Sequence, residues 1–466
     1  MALSRRHFVQ RGVALSMGFA GLRGLLSASP SMAAVLRAAD GAGYGPLVAD
    51  PLGVLDLPAG FKYRVISAAG ETMDDGLIVP EKHDGMATFP APDGLTYIVR
   101  NHEIDSDIGK RGPFGPNNER LSTVDRARIF DPGMGDTPAL GGCTTLIFDT
   151  RTQALKGHHL SLAGTMQNCA GGATPWGTWL SCEETMALPD RRYSKAHGYV
   201  FEVRPSMTPG LVDPKPIVAM GRFQHEAVAI DPVSGCVFLT EDLADGLVYR
   251  FIPTVPGDMH AGGRLQALMI RGRRTVDTRN WEAQTVAVGK PLEVEWIDVE
   301  DIESPNNDLR LQGAERGAAV FGRGEGMWKA ADGIYFACTS GGKAQMGQIW
   351  RYIPSPHEGT PGESSKPATL ELFIEPNDGS VVANADNITA SPWGDLLVCE
   401  DAAHDDDNDN FLLGVTPDRR VYKLAKNAVS SSEFAGATFS PDGSTLFVNV
   451  QGEGKTFAIT GPWKKG

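Results

Sequence analysis

The sequence predicts an all-β fold, a six-bladed β-propeller with inter-blade insertions, and three observations carry that prediction. A short hairpin recurs along the chain, each recurrence returns acidic residues to the same edge, and turn formers are abundant, with 55 Gly and 31 Pro in 466 residues. A repeated hairpin needs neighbours to bury its faces, and a closed ring supplies them without leaving long open edges. The 41% hydrophobic content suffices for an extended core. Length alone suggests more than one domain. Yet no Pro- or Ser-rich linker splits the chain, and 355–367 reads as a polar inter-blade loop. The expected organisation is a targeting segment over 1–33 and a single catalytic propeller domain over 34–466.

Taken in order, the first copy runs from Asp84 through a Pro-Asp-Gly turn to Glu103. The second runs from Asn168-Cys169 through Pro-Trp-Gly to Glu183-Glu184, the third from His225-Glu226 to Glu241-Asp242, and the fourth from Gly324-Glu325 to Ser340. Asp386 opens the fifth, which closes on Glu400-Asp401. Phe434 opens the last, which keeps a Ser-Pro-Asp-Gly turn and ends in the amide of Gln451. Third strands follow several copies, at 198–203, 246–251 and 348–352. In a propeller the innermost strand of each blade starts near the central channel. One mouth should therefore collect Asp84, Cys169, Glu226, Glu325 and Asp386, and the returning strands should add Glu103, Glu184, Glu241 and Glu400.

The 168–184 hairpin is the most informative segment. Antiparallel pairing brings its ends together, so a thiol, an amide and two carboxylates meet: Cys169, Asn168, Glu183 and Glu184. Such a set suits hard cations plus one softer metal.

At the N-terminus, Ser4-Arg5-Arg6 precedes an apolar run from Gly12 to Leu26, with small residues near Ser31 to Ala34. This pattern resembles a twin-arginine export signal, and the run falls short of the ~20 apolar residues that span a bilayer. The expected location is periplasmic or secreted, with the export machinery as a partner and no stable membrane association. The formal charge is −14, which argues against nucleic acid and anionic lipid as partners. The six cysteines do not read as disulfides: Cys182, Cys338 and Cys399 fall at equivalent places in three blades, and Cys143 and Cys236 sit in apolar strands. Cys169, followed by Ala-Gly-Gly, reads as a metal ligand.

The motifs Gln167 to Glu184, Gly221 to Glu226, Phe321 to Trp328, Asp386-Asn387 and Phe439 to Gln451 together resemble the PhoX family of secreted alkaline phosphatases. The resemblance implies a monomeric six-bladed propeller that hydrolyses phosphomonoesters with Ca2+ and a pair of Fe3+ ions at its mouth. Carried onto this chain, it makes Asn168, Cys169, Glu184, Glu226 and Glu325 metal ligands, joined by Glu103 and Asp386 at the same mouth. It makes Arg323 the clamp on phosphate, so that Arg323 and Cys169 are the expected catalytic pair.

The chemistry agrees with the resemblance. A phosphomonoester carries negative charge into a mouth of carboxylates, so bound cations must reverse the local sign. Arg323 supplies a forked donor suited to two phosphate oxygens. No Gly-x-Ser-x-Gly motif or Ser-His-Asp spacing offers a side-chain nucleophile. The alternatives are a calcium-dependent propeller hydrolase of another class, lactonase or phytase-like, and a non-enzymatic calcium-binding propeller. His102 and His225 each precede a mouth carboxylate, and alternation turns them away from it. Trp176 and Trp179 read as blade-packing aromatics. The run 404–410 reads either as a solvated acidic loop or as a peripheral Ca2+ site.

Overall fold

Strands and tight turns alternate from Leu47 to Thr460 in the computed structural model, which describes residues 42–105, 111–135, 137–402 and 409–464. The targeting segment of 1–33 and most of the 404–410 run lie outside the described residues. The fold is all-β and propeller-like. The single α-helix among the described residues, Leu309–Arg316, ends on Gly317 at a φ of 118°, a left-handed conformation that favours glycine. Among the described residues no helix is long and apolar enough to cross a membrane.

Each predicted hairpin is present. His83–Pro90 pairs with Thr96–His102, Asn168–Ala173 with Trp179–Glu183, and His225–Ile230 with Val237–Glu241. Gly324–Ala330 pairs with Gly333–Cys338, Ala385–Ala390 with Leu396–Glu400, and Phe434–Phe439 with Leu446–Val450. The opening strands of these hairpins pack against one another in chain order, and the last packs against the first, which closes a ring around a channel. Closure is also covalently remote: Lys62–Ala68, from the N-terminal part of the chain, completes the last sheet by pairing with Lys455–Thr460.

Where separate blades are expected, hydrogen bonds join the strands into five sheets. The cause is an insertion. Leu292–Asp298 pairs on one side with Asp258–Ile270 and on the other with Thr369–Ile374, and so fuses two hairpin units into one nine-stranded sheet.

Apolar faces of adjacent sheets meet in buried cores. Val99, Cys143, Trp179 and Phe201 fill one junction, and Ile66, Ile98, Leu146 and Phe447 fill the closing one. Burying each such large side chain contributes about 1.5–3 kcal/mol. Trp179 donates its indole N–H to Asn101 Oδ1 at 2.9 Å, and Trp176 donates to Glu202 Oε1 at 2.8 Å, in keeping with packing roles. All six cysteines are free and buried. Around the channel the backbones approach closely: a Cβ on Gly85 would lie 2.6 Å from Ala170 Cα, and one on Gly326 would lie 2.7 Å from Asn387 Cα. Only glycine allows that contact.

Candidate active site at the channel mouth

The six opening strands share one irregularity. Their registers slip just after the start, between His83 and Met86, Asn168 and Gly171, His225 and Val228, Gly324 and Met327, Ala385 and Ile388, and Ala435 and Thr438. A bulge sets two residues against one and re-aims a side chain that simple alternation would place elsewhere. The second residue of each of the first five strands is thereby available to the channel: Asp84, Cys169, Glu226, Glu325 and Asp386 all line its mouth. The sixth strand offers only Ala435 at that position, and Glu433, just before it, supplies the carboxylate instead.

The three returning strands that end in paired carboxylates obey an equally simple rule. The last strand residue turns back into the backbone, and the next residue lines the mouth. Glu183 accepts hydrogen bonds from the N–H groups of Met166 (3.0 Å) and Gly198 (2.9 Å), while Glu184 lines the cavity. Glu241 accepts from Leu247 N–H (3.1 Å) and Tyr249 O–H (2.9 Å), and Asp242 lines the cavity. Glu400 accepts from Ala383 (2.7 Å) and Phe411 (3.0 Å), and Asp401 lines it. The expectation that Glu241 and Glu400 stand at the mouth is therefore corrected by one residue in each copy. The signal was in the sequence: Glu241-Asp242 and Glu400-Asp401 align with Glu183-Glu184, whose second member faces the channel. Glu433 carried no such signal.

His102 and His225 face away, as alternation predicts. His102 bonds Glu81 O and Thr144 Oγ1, and His225 bonds Gly221 O and stacks on Phe223. Asn168 also departs from expectation. Its Oδ1 accepts from Thr165 Oγ1 at 2.6 Å and its Nδ2 donates to Ser181 Oγ at 2.9 Å, so the amide braces the hairpin behind the cavity. The other predicted site residues, Glu103, Cys169, Glu184, Glu226, Arg323, Glu325 and Asp386, come together.

Two ligand triplets overlap there. One donor atom each from Cys169, Glu184 and Glu226 lie within 4.8 Å of one another, and the same holds for Glu226, Glu325 and Asp386. Burial, and then repulsion from Glu325 and its neighbours, holds Glu226 well above the usual carboxylate range. Burial followed by Glu103 does the same to Asp84, and burial followed by Asp242 to Glu184. Burial is also the largest influence on Asp386, which is pushed up to about 7. The Cys169 thiol is raised by burial and then by Glu226. Nine carboxylates with one arginine lining the same cavity form a site whose charge calls for bound cations.

Arg323 is that arginine. Its backbone sits at a φ of 53°, a conformation rare outside glycine. Its Nε and Nη2 donate to the two carboxylate oxygens of Asp242, both at 2.8 Å, and Nη2 lies 3.0 Å from Glu325 Oε1. Nη1 has no protein hydrogen bond among the described residues. Gln451 Nε2 bridges Asp84 (2.7 Å) and Glu103 (2.8 Å), which joins the last hairpin to the first.

The sequence matches the family model for alkaline phosphatase PhoX over residues 42–149 and 138–454. The chain belongs to the PhoX alkaline phosphatase family. As a PhoX member it is a phosphoric monoester hydrolase. Its fold is similar to that of Pseudomonas fluorescens PhoX in complex with vanadate, a transition-state analogue, with a TM-score of 0.64 and 17% identity over 90% of this chain and 97% of that one. A gluconolactonase from Xanthomonas campestris aligns with a TM-score of 0.41 and 10% identity over 90% of this chain and 99% of that one. No curated protein matches the chain by sequence. PhoX membership takes precedence over the lactonase, phytase-like and non-enzymatic alternatives.

Proposed function

We propose that the mouth cluster is the active site of this phosphomonoesterase, with metal ions held by Cys169, Glu184 and Glu226 on one side and by Glu226, Glu325 and Asp386 on the other. The observation that carries the reading is the sharing of Glu226 between two ligand triplets, each with two buried members and one half-buried. The donors fit the metals expected: carboxylate oxygens suit Ca2+ in flexible geometry, and a thiolate beside them suits a transition metal such as Fe3+. When bound, such ions supply positive charge that admits phosphate and stabilises the oxygens of an in-line displacement.

The chain's own residues do the rest. Asp242 occupies the Nε and Nη2 edge of Arg323, which fixes the guanidinium plane and leaves Nη1 for a phosphate oxygen. The left-handed backbone at Arg323 holds that side chain between Asp242 and Glu325. Gln451 keeps Asp84 and Glu103 together, so both stay on the cavity wall as the charge in the site changes. Glu183, buried and hydrogen-bonded to backbone N–H groups, anchors the turn that presents Glu184.

The wider reading is a six-bladed ring over 34–466, supported by the six bulged opening strands. It includes a monomeric enzyme, exported by the twin-arginine route to the periplasm or beyond, acting on small phosphomonoesters. Elemental analysis of protein purified through its native export route, beside hydrolysis of p-nitrophenyl phosphate and a lactone panel, tests the core of it. Calcium and iron should copurify and phosphatase activity should track them. Full activity in metal-free protein would refute the proposal.

A further inference from the structure

Arg100 lies in the closing junction of the ring and does not line the mouth cavity. It is fully buried on the strand Thr96–His102. Its Nη1 donates to Thr456 Oγ1 at 2.6 Å and to His83 Nδ1 at 3.1 Å. Its Nε and Nη2 have no hydrogen-bond partner among the described residues. Those two nitrogens form the edge of the guanidinium that normally grips an anion with parallel hydrogen bonds.

Among the described residues no carboxylate oxygen bonds this edge. Thr456 is already committed, donating to Asn449 Oδ1 at 2.6 Å. His83 bonds Pro80 O through Nε2, which leaves Nδ1 as an acceptor, and His102 is engaged by Glu81 O and Thr144. Arg100 itself is lowered by burial to about 9 and stays protonated at neutral pH. The carboxylate that acts on it most, Glu71, is exposed and accepts from Ala68 N–H at 3.0 Å. Among the described residues Arg100 forms no ion pair.

Further polar atoms without partners belong to the same junction. Ser67 Oγ is one, on the residue directly opposite Thr456 in the sheet. His158 Nδ1 is another, on the strand Ala154–Thr165, and the charge of Arg100 acts on it. A buried charge without a counter-charge is costly, and a set of unsatisfied buried donors signals a missing ion or water.

We propose that a small monovalent inorganic anion, chloride in ordinary buffers, binds the Nε and Nη2 edge of Arg100 with Ser67 beside it. It neutralises the guanidinium at the seam where the strand Lys62–Ala68 closes the ring. Such an anion stabilises the closed ring by mass action and takes no part in catalysis.

Two measurements on the metal-loaded enzyme test this. Crystals grown in bromide, with diffraction recorded at the bromine edge, should show an anomalous peak at the Nε and Nη2 edge of Arg100. Exchange of gluconate for chloride at constant ionic strength should raise Tm by about 1–3 °C per tenfold chloride once the site begins to fill. In Arg100→Met, which removes the charge, Tm should no longer respond to the exchange, while phosphatase activity at low temperature is retained. If that variant does not fold, the bromide crystals decide alone. Water in place of a bromide peak, or a wild-type Tm indifferent to chloride, would overturn the proposal.

Discussion

Replacing Arg323 by lysine separates charge from geometry at the proposed phosphate clamp. The guanidinium holds Asp242 through two hydrogen bonds of 2.8 Å while Nη1 stays free, so it anchors itself and grips substrate at once. A lysine ammonium has no fixed plane, and its donors cannot span a carboxylate and a phosphate in the same arrangement. Arg323→Lys should therefore keep the attraction for phosphate and lose the equivalent of one charge-assisted hydrogen bond, about 1.5–3 kcal/mol. If that bond is made in the transition state, kcat/KM falls by about 10- to 150-fold. The assay is steady-state hydrolysis of p-nitrophenyl phosphate by protein whose metal content and circular dichroism match wild type. A kcat/KM within about threefold of wild type would show that Arg323 serves only to neutralise its acidic neighbours.

The neighbouring pair Glu241-Asp242 offers a paired test. Asp242→Asn should lower kcat/KM by about tenfold or more by loosening Arg323, whereas Glu241→Gln, on the backbone side, should leave kcat/KM near wild type and reduce Tm; equal kinetic losses would contradict the one-residue offset. Cys169→Ser should drop iron content while calcium largely remains, with turnover nearly abolished; a packed thiol predicts instead only a stability loss of roughly 0.5–3 kcal/mol. His197 is lowered by burial but lifted more by Glu183 and Asp131, to which its ring nitrogens bond at 2.6 and 3.2 Å, and it stands at about 9. Its contribution to stability should be complete below its unfolded value of ~6.5, lost as pH rises through about 9, and worth at most a few kcal/mol. The Tm gap between wild type and His197→Gln should accordingly narrow from pH 6.5 to 10, and a constant gap would show that the ring acts through packing alone. Lysine at both Arg5 and Arg6 should strand the phosphatase in the cytoplasm, and unchanged periplasmic activity would remove the export assignment.

The sequence by itself determined the hairpins, their turns and the recurrence of acidic residues, because each is a local property: a Pro-Asp-Gly or Pro-Trp-Gly turn between two apolar runs specifies antiparallel pairing whatever surrounds it. It also determined that Asp84, Cys169, Glu226, Glu325 and Asp386 share one end, since equivalent positions of a repeat occupy equivalent places in a ring. Tertiary structure decided everything that depends on where a side chain points. The bulges after His83, Asn168, His225, Gly324, Ala385 and Ala435 set the direction of the opening residues, and residues of a neighbouring sheet press on those bulges. Backbone N–H groups brought by later segments captured Glu241 and Glu400 and left the mouth to Asp242 and Asp401. Thr165 and Ser181 took the amide of Asn168. Glu433 reaches the cavity only because the last opening strand packs between its neighbours in the ring, and Leu292–Asp298 fuses two hairpin units because an insertion happens to lie along both. A repeat fixes spacing, but the competition among hydrogen-bond partners that decides which carboxylate is free exists only once distant segments have met.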